Sequence, residues 1–162
     1  MSGGFSGSIR RARGDDASTL ATIFLRSRYA SIPDIPPLVH SDEDVRAYFA
    51  TVVLPNREVW VAEANGEPVA LLVLDRDWVE HLYADPEWTG RGLGSKLINL
   101  AKERSPGGLN LWAFQSNVRA RRFYEAHGFT PEEMTDGDNE EGAPDVRYRW
   151  VPAGDARPAD RA

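Results

Sequence analysis

Leu82-Tyr83-Ala84-Asp85-Pro86-Glu87-Trp88-Thr89-Gly90-Arg91-Gly92-Leu93-Gly94-Ser95-Lys96-Leu97 is the stretch that decides the fold. It begins as the end of an extended run, residues 79–84, and ends as the start of a helical one through Leu97, Ile98, Leu100 and Ala101. Between the two, Gly90, Gly92 and Gly94 alternate with Arg91 and Leu93. Glycines let the backbone approach a ligand closely. A helix N-terminus offers unpaired N–H groups and the positive end of its dipole, so it stabilises an anion. Arg91 adds a fixed positive charge. The group this turn suits is a phosphate or pyrophosphate. Its G-x-G-x-G spacing is not the dinucleotide pattern G-x-G-x-x-G, and no Gly-Lys-Ser/Thr follows as in a P-loop. A tight turn that needs glycine and binds nothing is the alternative that this stretch leaves open.

On the N-terminal side the chain reads as sheet. Residues 58–64 alternate, with Val59 and Val61 on one face and Trp60 and Ala62 on the other. Asn65-Gly66 is a strong hairpin signal, because both residues tolerate positive φ. Residues 69–74 are a continuous apolar strand, 75–77 a turn, and 79–84 the next strand. These short links predict three neighbouring antiparallel strands. Further upstream, 9–12 reads as a first strand. Asp15 and Asp16 offer N-cap oxygens to a helix through Leu20, Ile23 and Phe24 that fades near Tyr29. Pro33, Pro36 and Pro37 make 31–39 a loop. Ser41 with Asp44 resembles a capping box that opens a helix through Val45, Tyr48, Phe49 and Val52.

On the C-terminal side, Pro106, Gly107 and Gly108 end the helix. A strand over 109–114, a helix over 118–127 closed by Gly128, an extended stretch from Phe129 and a last strand over 146–151 follow. The expected class is α/β, a mixed and mostly antiparallel sheet with flanking helices. Residues 1–8 and 152–162 read as flexible tails around one domain, 9–151.

The 162 residues fit one domain of ordinary globular composition, 41% apolar and 27% charged. The net charge of −6 disfavours broad nucleic-acid binding, which needs clustered positive charge. The absence of cysteine removes disulfides, thiolate metal sites and an acyl-cysteine relay. His40, His81 and His127 lie too far apart for a short metal motif, so no metal is expected. No apolar run approaches the roughly 18 residues of a membrane span. The expectation is a cytoplasmic protein without membrane or nucleic-acid partners.

A second stretch, Asn117-Val118-Arg119-Ala120-Arg121-Arg122-Phe123-Tyr124-Glu125-Ala126-His127-Gly128-Phe129, stands in a fixed order after the first. Together the two resemble the paired signatures of the GNAT superfamily of N-acetyltransferases, and the likeness extends over about residues 9–151. Thr89 stands where that family usually carries Gln or Arg; its backbone amide can still serve. The resemblance implies a sheet that splays open between strands four and five, with acetyl-CoA in the opening. It implies that the backbone of Leu82, Tyr83 and Ala84 pairs with the pantetheine arm, that the main chain of Thr89, Gly90, Arg91, Gly92, Leu93, Gly94 and Ser95 binds the pyrophosphate, and that Asn117 hydrogen-bonds the pantetheine. Leu82 N–H would polarise the thioester carbonyl. Tyr124 would act as general acid toward the departing thiolate, with core packing as its alternative role.

The acceptor amine, with a pKa of about 10.4, needs a base. The candidates are Glu80, on the strand face expected to hold Trp78 and Leu82, and His81 on the opposite face. A water chain would replace both. Seven acids and no Lys, Arg or His lie between Thr130 and Asp145. They read either as a solvated loop or as a wall, including Glu140 and Glu141, that draws a cationic amine. This segment is similar to that of a set of bacterial GNAT proteins. Tyr29 and Trp78 are further candidate substrate contacts, and the loop after Tyr29 is expected to cover the acceptor. Arg119, Arg121 and Arg122 read as a solvated helix face. The partner implied is a small-molecule or peptide amine, transfer is direct, and a homodimer is left open. A non-catalytic acyl-CoA-binding module is the rival reading.

Overall fold

The computed structural model describes residues 7–153. The chain begins with strand β1 (Ser8–Arg11), one residue earlier than the sequence suggests, and helix α1 (Ala17–Ala30). Helix α2 (Asp42–Tyr48) runs on through a wide π turn, Phe49–Val53. Strands β2 (Glu58–Ala64), β3 (Glu67–Asp75) and β4 (Trp78–Ala84) follow. Helix α3 (Leu93–Arg104), strand β5 (Leu109–Phe114) and helix α4 (Val118–Ala126) come next. Strands β6 (Thr130–Met134) and β7 (Asp145–Trp150) close the described chain. The proposed tails at 1–6 and 154–162 lie outside the described residues.

The strands form one sheet in the order β1-β2-β3-β4-β5-β7-β6, antiparallel throughout except for β4 beside β5. The turn at Asn65 and Gly66 has φ of 55° and 82°, as the hairpin signal requires. β3 is apolar without alternation because both its faces are buried. Leu71 and Val73 join Leu20, Ile23, Phe24 and Phe49 under α1 and α2. Leu72 and Leu74 join Leu97, Ile98, Leu111 and Phe129 under α3. Each such fully buried aliphatic side chain contributes roughly 1.5–3 kcal/mol.

The caps divide. Ser41 Oγ accepts from Asp44 N at 3.1 Å, as the sequence predicts. Asp16 does not cap α1 with its side chain. Its carboxylate accepts from Arg10 Nη1 and Nη2 at 2.9 and 3.2 Å and from Arg13 N at 2.7 Å. Buried, it is held ionised by the Arg10 guanidinium, which lowers its pKa. The acidic segment is also more ordered than a turn-rich loop, since β6 pairs with β7.

Candidate functional site

Two features of β4 create the site. The first is where its pairing stops. β4 meets β5 only at Trp78 and Asn110, and beyond that point the two strands diverge. A parallel pair that separates leaves the main chain of Leu82, Tyr83 and Ala84 facing an open seam. The second is a bulge. Val79 pairs with Leu74 and His81 with Val73, so Glu80 is an extra residue. The bulge shifts the alternation: Val79 and Leu82, three apart, both pack toward the α3 core. Glu80 therefore does not share a face with Trp78 and Leu82, as simple alternation predicts. Its carboxylate accepts from Arg57 Nε at 2.8 Å. Trp78 instead stacks on Trp112, centroids 6.5 Å apart.

The seam opens into two adjoining cavities. One, of about 540 Å³, is lined by Leu82, Tyr83, Ala84, Thr89, Gly90, Gly92, Leu93, Gly94 and Ser95 on one side and by Asn117, Arg119, Phe123 and Tyr124 on the other. Its head is the N-terminus of α3. Gly92 is the N-cap at φ 83°, a left-handed conformation that L side chains rarely adopt. The first bond inside the helix is Lys96 N to Gly92 O at 3.1 Å, so the amides of Leu93, Gly94 and Ser95 have no helical acceptor. Gly94 is needed for a different reason: a Cβ there would stand 3.1 Å from the Phe123 ring, where α3 and α4 meet. Arg91 is not among the lining residues; its guanidinium lies over the Trp88 ring, 4.4 Å from the centroid. Thr89 Oγ1 donates to Pro86 O at 3.1 Å.

The second cavity, of about 490 Å³, continues past Leu82, Tyr83, Asn117 and Tyr124, which border both. Glu80, His81, Arg28, Ile35, Trp112 and Glu141 are among its walls. Tyr124 thus stands at the junction. Half-buried against Phe129 and Tyr148, its phenol is pushed well above the ordinary value, by burial first and the Tyr83 hydroxyl second. It stays protonated and so keeps a proton to donate. Asn117 caps α4, its Oδ1 accepting from Ala120 N at 3.2 Å.

His81 belongs to the α1–α2 core side. Its ring lies among Phe24, Tyr48, Phe49 and Tyr83, with Nε2 3.2 Å from Tyr48 Oη. Burial, reinforced by Arg28 and Arg57, lowers its pKa to about 4. Such an imidazole is neutral at pH 7 and a weak proton acceptor.

Of the candidate substrate residues, only Glu141 reaches a cavity wall. Tyr29 is exposed and bonds the Asp42 carboxylate; Glu140 lies 3.2 Å from His40 on the surface. Arg121 is half-buried and bonded to the protein: it donates to Tyr148 Oη at 3.0 Å and to Gln115 O at 3.2 Å. Sequence reasoning missed Ser31, which borders both cavities, and Arg28. Arg28 carried a usable signal, since it is a cation at helical spacing from Leu20, Phe24 and Leu25 on the buried side of α1.

This geometry has relatives. Residues 55–131 match the family model of the acetyltransferase (GNAT) domain. An uncharacterized N-acetyltransferase of Archaeoglobus fulgidus is 32% identical over 132 residues, 72% of this chain and 88% of that one. The chain belongs to the GNAT superfamily of N-acetyltransferases. The peptidyl-lysine N-acetyltransferase YjaB of Salmonella typhimurium is 30% identical over 123 residues, 75% of this chain and 81% of its own. The solution structure of apo-form YjaB from Escherichia coli superposes with a TM-score of 0.74 at 25% identity, covering 92% of this GNAT chain and 100% of that one. Among the described residues of this GNAT protein, no helix is long and apolar enough to cross a membrane.

Proposed function

We propose that this GNAT chain transfers an acetyl group from acetyl-CoA directly to an amine nitrogen, both substrates sharing the cleft. The observation that carries the reading is the seam between β4 and β5, which runs from the α3 N-terminus past Tyr124 into a second cavity. The residues present fit the carrier. Three amides without helical acceptors suit a diphosphate, and the unpaired main chain of 82–84 suits an amide-bearing arm laid along it as an added strand. Asn117 borders that arm's path. Acetyl-CoA supplies an acyl group already activated toward attack by a nucleophile.

The protein's own groups then divide the work. Leu82 N–H is assigned to the carbonyl oxygen, where negative charge builds as the nitrogen attacks. Tyr124 donates a hydrogen bond to the departing sulfur. With its pKa raised, it acts by holding that bond more than by surrendering its proton. The amine arrives as an ammonium with a pKa of about 10.4 and must lose a proton. Glu80, presented by the bulge on the wall of the second cavity, takes it directly or through a water; His81, near 4, is the poorer acceptor. A C–N bond forms while the C–S bond breaks, and the second proton that the nitrogen sheds passes to the departing thiolate, leaving a neutral amide and free CoA thiol.

The relatives named N-acetyltransferases favour an enzyme over a binding module without chemistry. YjaB, named for peptidyl-lysine, makes a lysine side chain one acceptor to try. The test combines calorimetry with acetyl-CoA and an assay of CoA release over a panel of primary amines. Binding below about 1 mM with amine-dependent release is expected. Binding without release on any amine would point to the module, and no uptake at millimolar acetyl-CoA would remove both.

A further inference from the structure

Nε of Arg28 is the one buried side-chain nitrogen or oxygen among the described residues without a hydrogen-bond partner. The residue projects from the last turn of α1 into the wall of the second cavity, and its side chain is 8% exposed. The guanidinium lies near the rings of Phe24 and Phe114, 5.7 and 5.8 Å from their centroids. Nη2 donates one long bond, to Pro36 O at 3.4 Å. Glu141 Oε2 is 3.7 Å away, an ion pair beyond hydrogen-bond reach. Nε, shut off from solvent, has no partner among the described residues. A guanidinium carries five N–H donors in a planar fork. The faces of Phe24 and Phe114 attract its charge but do not satisfy that fork. A buried cation so sparsely bonded is costly to keep, and a two-oxygen anion is the partner its geometry matches.

The surroundings say what else such a ligand carries. Arg28 shares its cavity with Tyr124 and Glu80 at the transfer end and with Asp138 and Glu141 on the last hairpin. Asp138 is exposed. Cation and acids on walls of one pocket of about 490 Å³ suit a molecule bearing both charges. We propose that Arg28 receives a carboxylate of the acceptor, so that the amine acetylated also carries an acid group. A free amino acid and a peptide amine with a neighbouring carboxylate share this chemistry. The proposal rests on the transferase reading above and adds its substrate class.

The test titrates free L-amino acids and their carboxamides into the CoA-bound protein by calorimetry and follows CoA release with the same pairs. A peptide arm compares lysine peptides flanked by Asp with the same peptides flanked by Asn. The acid member of at least one pair should win by on the order of ten- to a hundredfold in Kd and in kcat/KM, and the arm in which it wins identifies the source. Arg28→Met should bring that ratio close to one, and Arg28→Lys should keep part of it. Because Arg28→Met alone leaves the Glu141 carboxylate without its cation, the thermal midpoint is read in Arg28→Met/Glu141→Gln, where it should be unchanged or higher. Equal use of acids and amides by the wild-type enzyme would overturn the proposal and leave the transferase standing. A lowered midpoint with an unchanged ratio would also overturn it, by making Arg28 a structural residue. Preferential binding of acids without any turnover would support the Arg28 contact and overturn the transferase reading alone. No preference and no turnover would remove both.

Discussion

Along the cleft, one wall comes from an unbroken stretch of chain and the other from distant pieces. Between Leu82 and Leu97 the lining includes Gly90, Gly92 and Gly94, which have only main chain to offer, with Gly92 at φ 83°, and a strand edge that lost its partner. Around the second cavity the lining residues come from separate elements. Arg28 comes from α1, Ile35 from the loop after it, Glu80 and His81 from β4, and Glu141 from the last hairpin. Ser116 Oγ, donating to Asp34 O, ties that loop to the residues that lead into α4. Main chain recognises what every carrier of one kind shares, whatever side chains it bears. Side chains gathered from several elements can be exchanged one at a time without disturbing the sheet. The first wall therefore suits a fixed cosubstrate and the second a variable acceptor.

If that division holds, titration should act on the acceptor wall. His81 is the largest case. Unfolded, a histidine has a pKa of about 6.5, while in the fold this one is near 4. Above pH 6.5 the ring is neutral in both states and stability is full. As pH falls below 6.5 the unfolded chain takes up a proton that the fold refuses, so stability drops and levels off below about 4. The loss is roughly 3 kcal/mol. Asp16 and Glu58, whose pKa values are lowered in the fold, lose their contributions only as pH falls toward and below about 4.5, so the upper part of the window, from 6.5 to about 5, isolates the histidine. Urea unfolding of wild type and His81→Gln across that window should show the slope in the first and not in the second. Equal slopes would mean that the ring is solvated.

Tyr124 tests the junction between the walls. Tyr124→Phe removes the donor at the sulfur and leaves the ring against Phe129 and Tyr148. A fall in kcat of about a hundredfold, with the Kd for acetyl-CoA within about twofold, is expected. Comparable losses in both would return the residue to packing. Gly92→Val tests the main-chain wall. A β-branched residue at positive φ costs about 2 kcal/mol, and relaxing that strain turns the α3 amides away from the cleft. Acetyl-CoA should bind at least about tenfold more weakly, while the Kd of an acceptor amine measured without CoA stays put. A matching loss for the amine would show that the two walls are one unit.

The same contrast decides what could be read from the sequence. Hairpins, capping at Ser41, the α3 turn and the order of strands rest on local chemistry within a few residues, so they were legible. So were the backbone positions 82–84 and the glycines, which the cavity collects together. The bulge at Glu80 was not. It arises because β3 spends one residue where β4 spends two, which depends on the register between strands and leaves no mark in either one alone. Tyr29 and Glu140 lie outside the cavity walls for a related reason: each bonds a surface neighbour, Asp42 or His40. Arg28 is half legible: its helical spacing from Leu20, Phe24 and Leu25 marks it as buried, but its place in the second cavity depends on the loop and hairpin assembled around it.

The bulge gives the smallest and most discriminating effect. Glu80 is fixed by Arg57, so Glu80→Gln keeps a side chain that can accept that hydrogen bond and removes the charge together with the capacity to take a proton. At high pH, where more of the amine is already neutral, the loss of a base matters least. Toward neutral and lower pH, deprotonation limits the rate. kcat/KM should therefore fall by no more than a few-fold near pH 9 and by about tenfold near pH 7, steepening the pH profile on its acid side. Arg57→Met supplies the control, because it frees the carboxylate without removing it and should leave the wild-type slope in place. An identical profile for Glu80→Gln and wild type would take the base off the bulge and hand proton removal to water in the cleft.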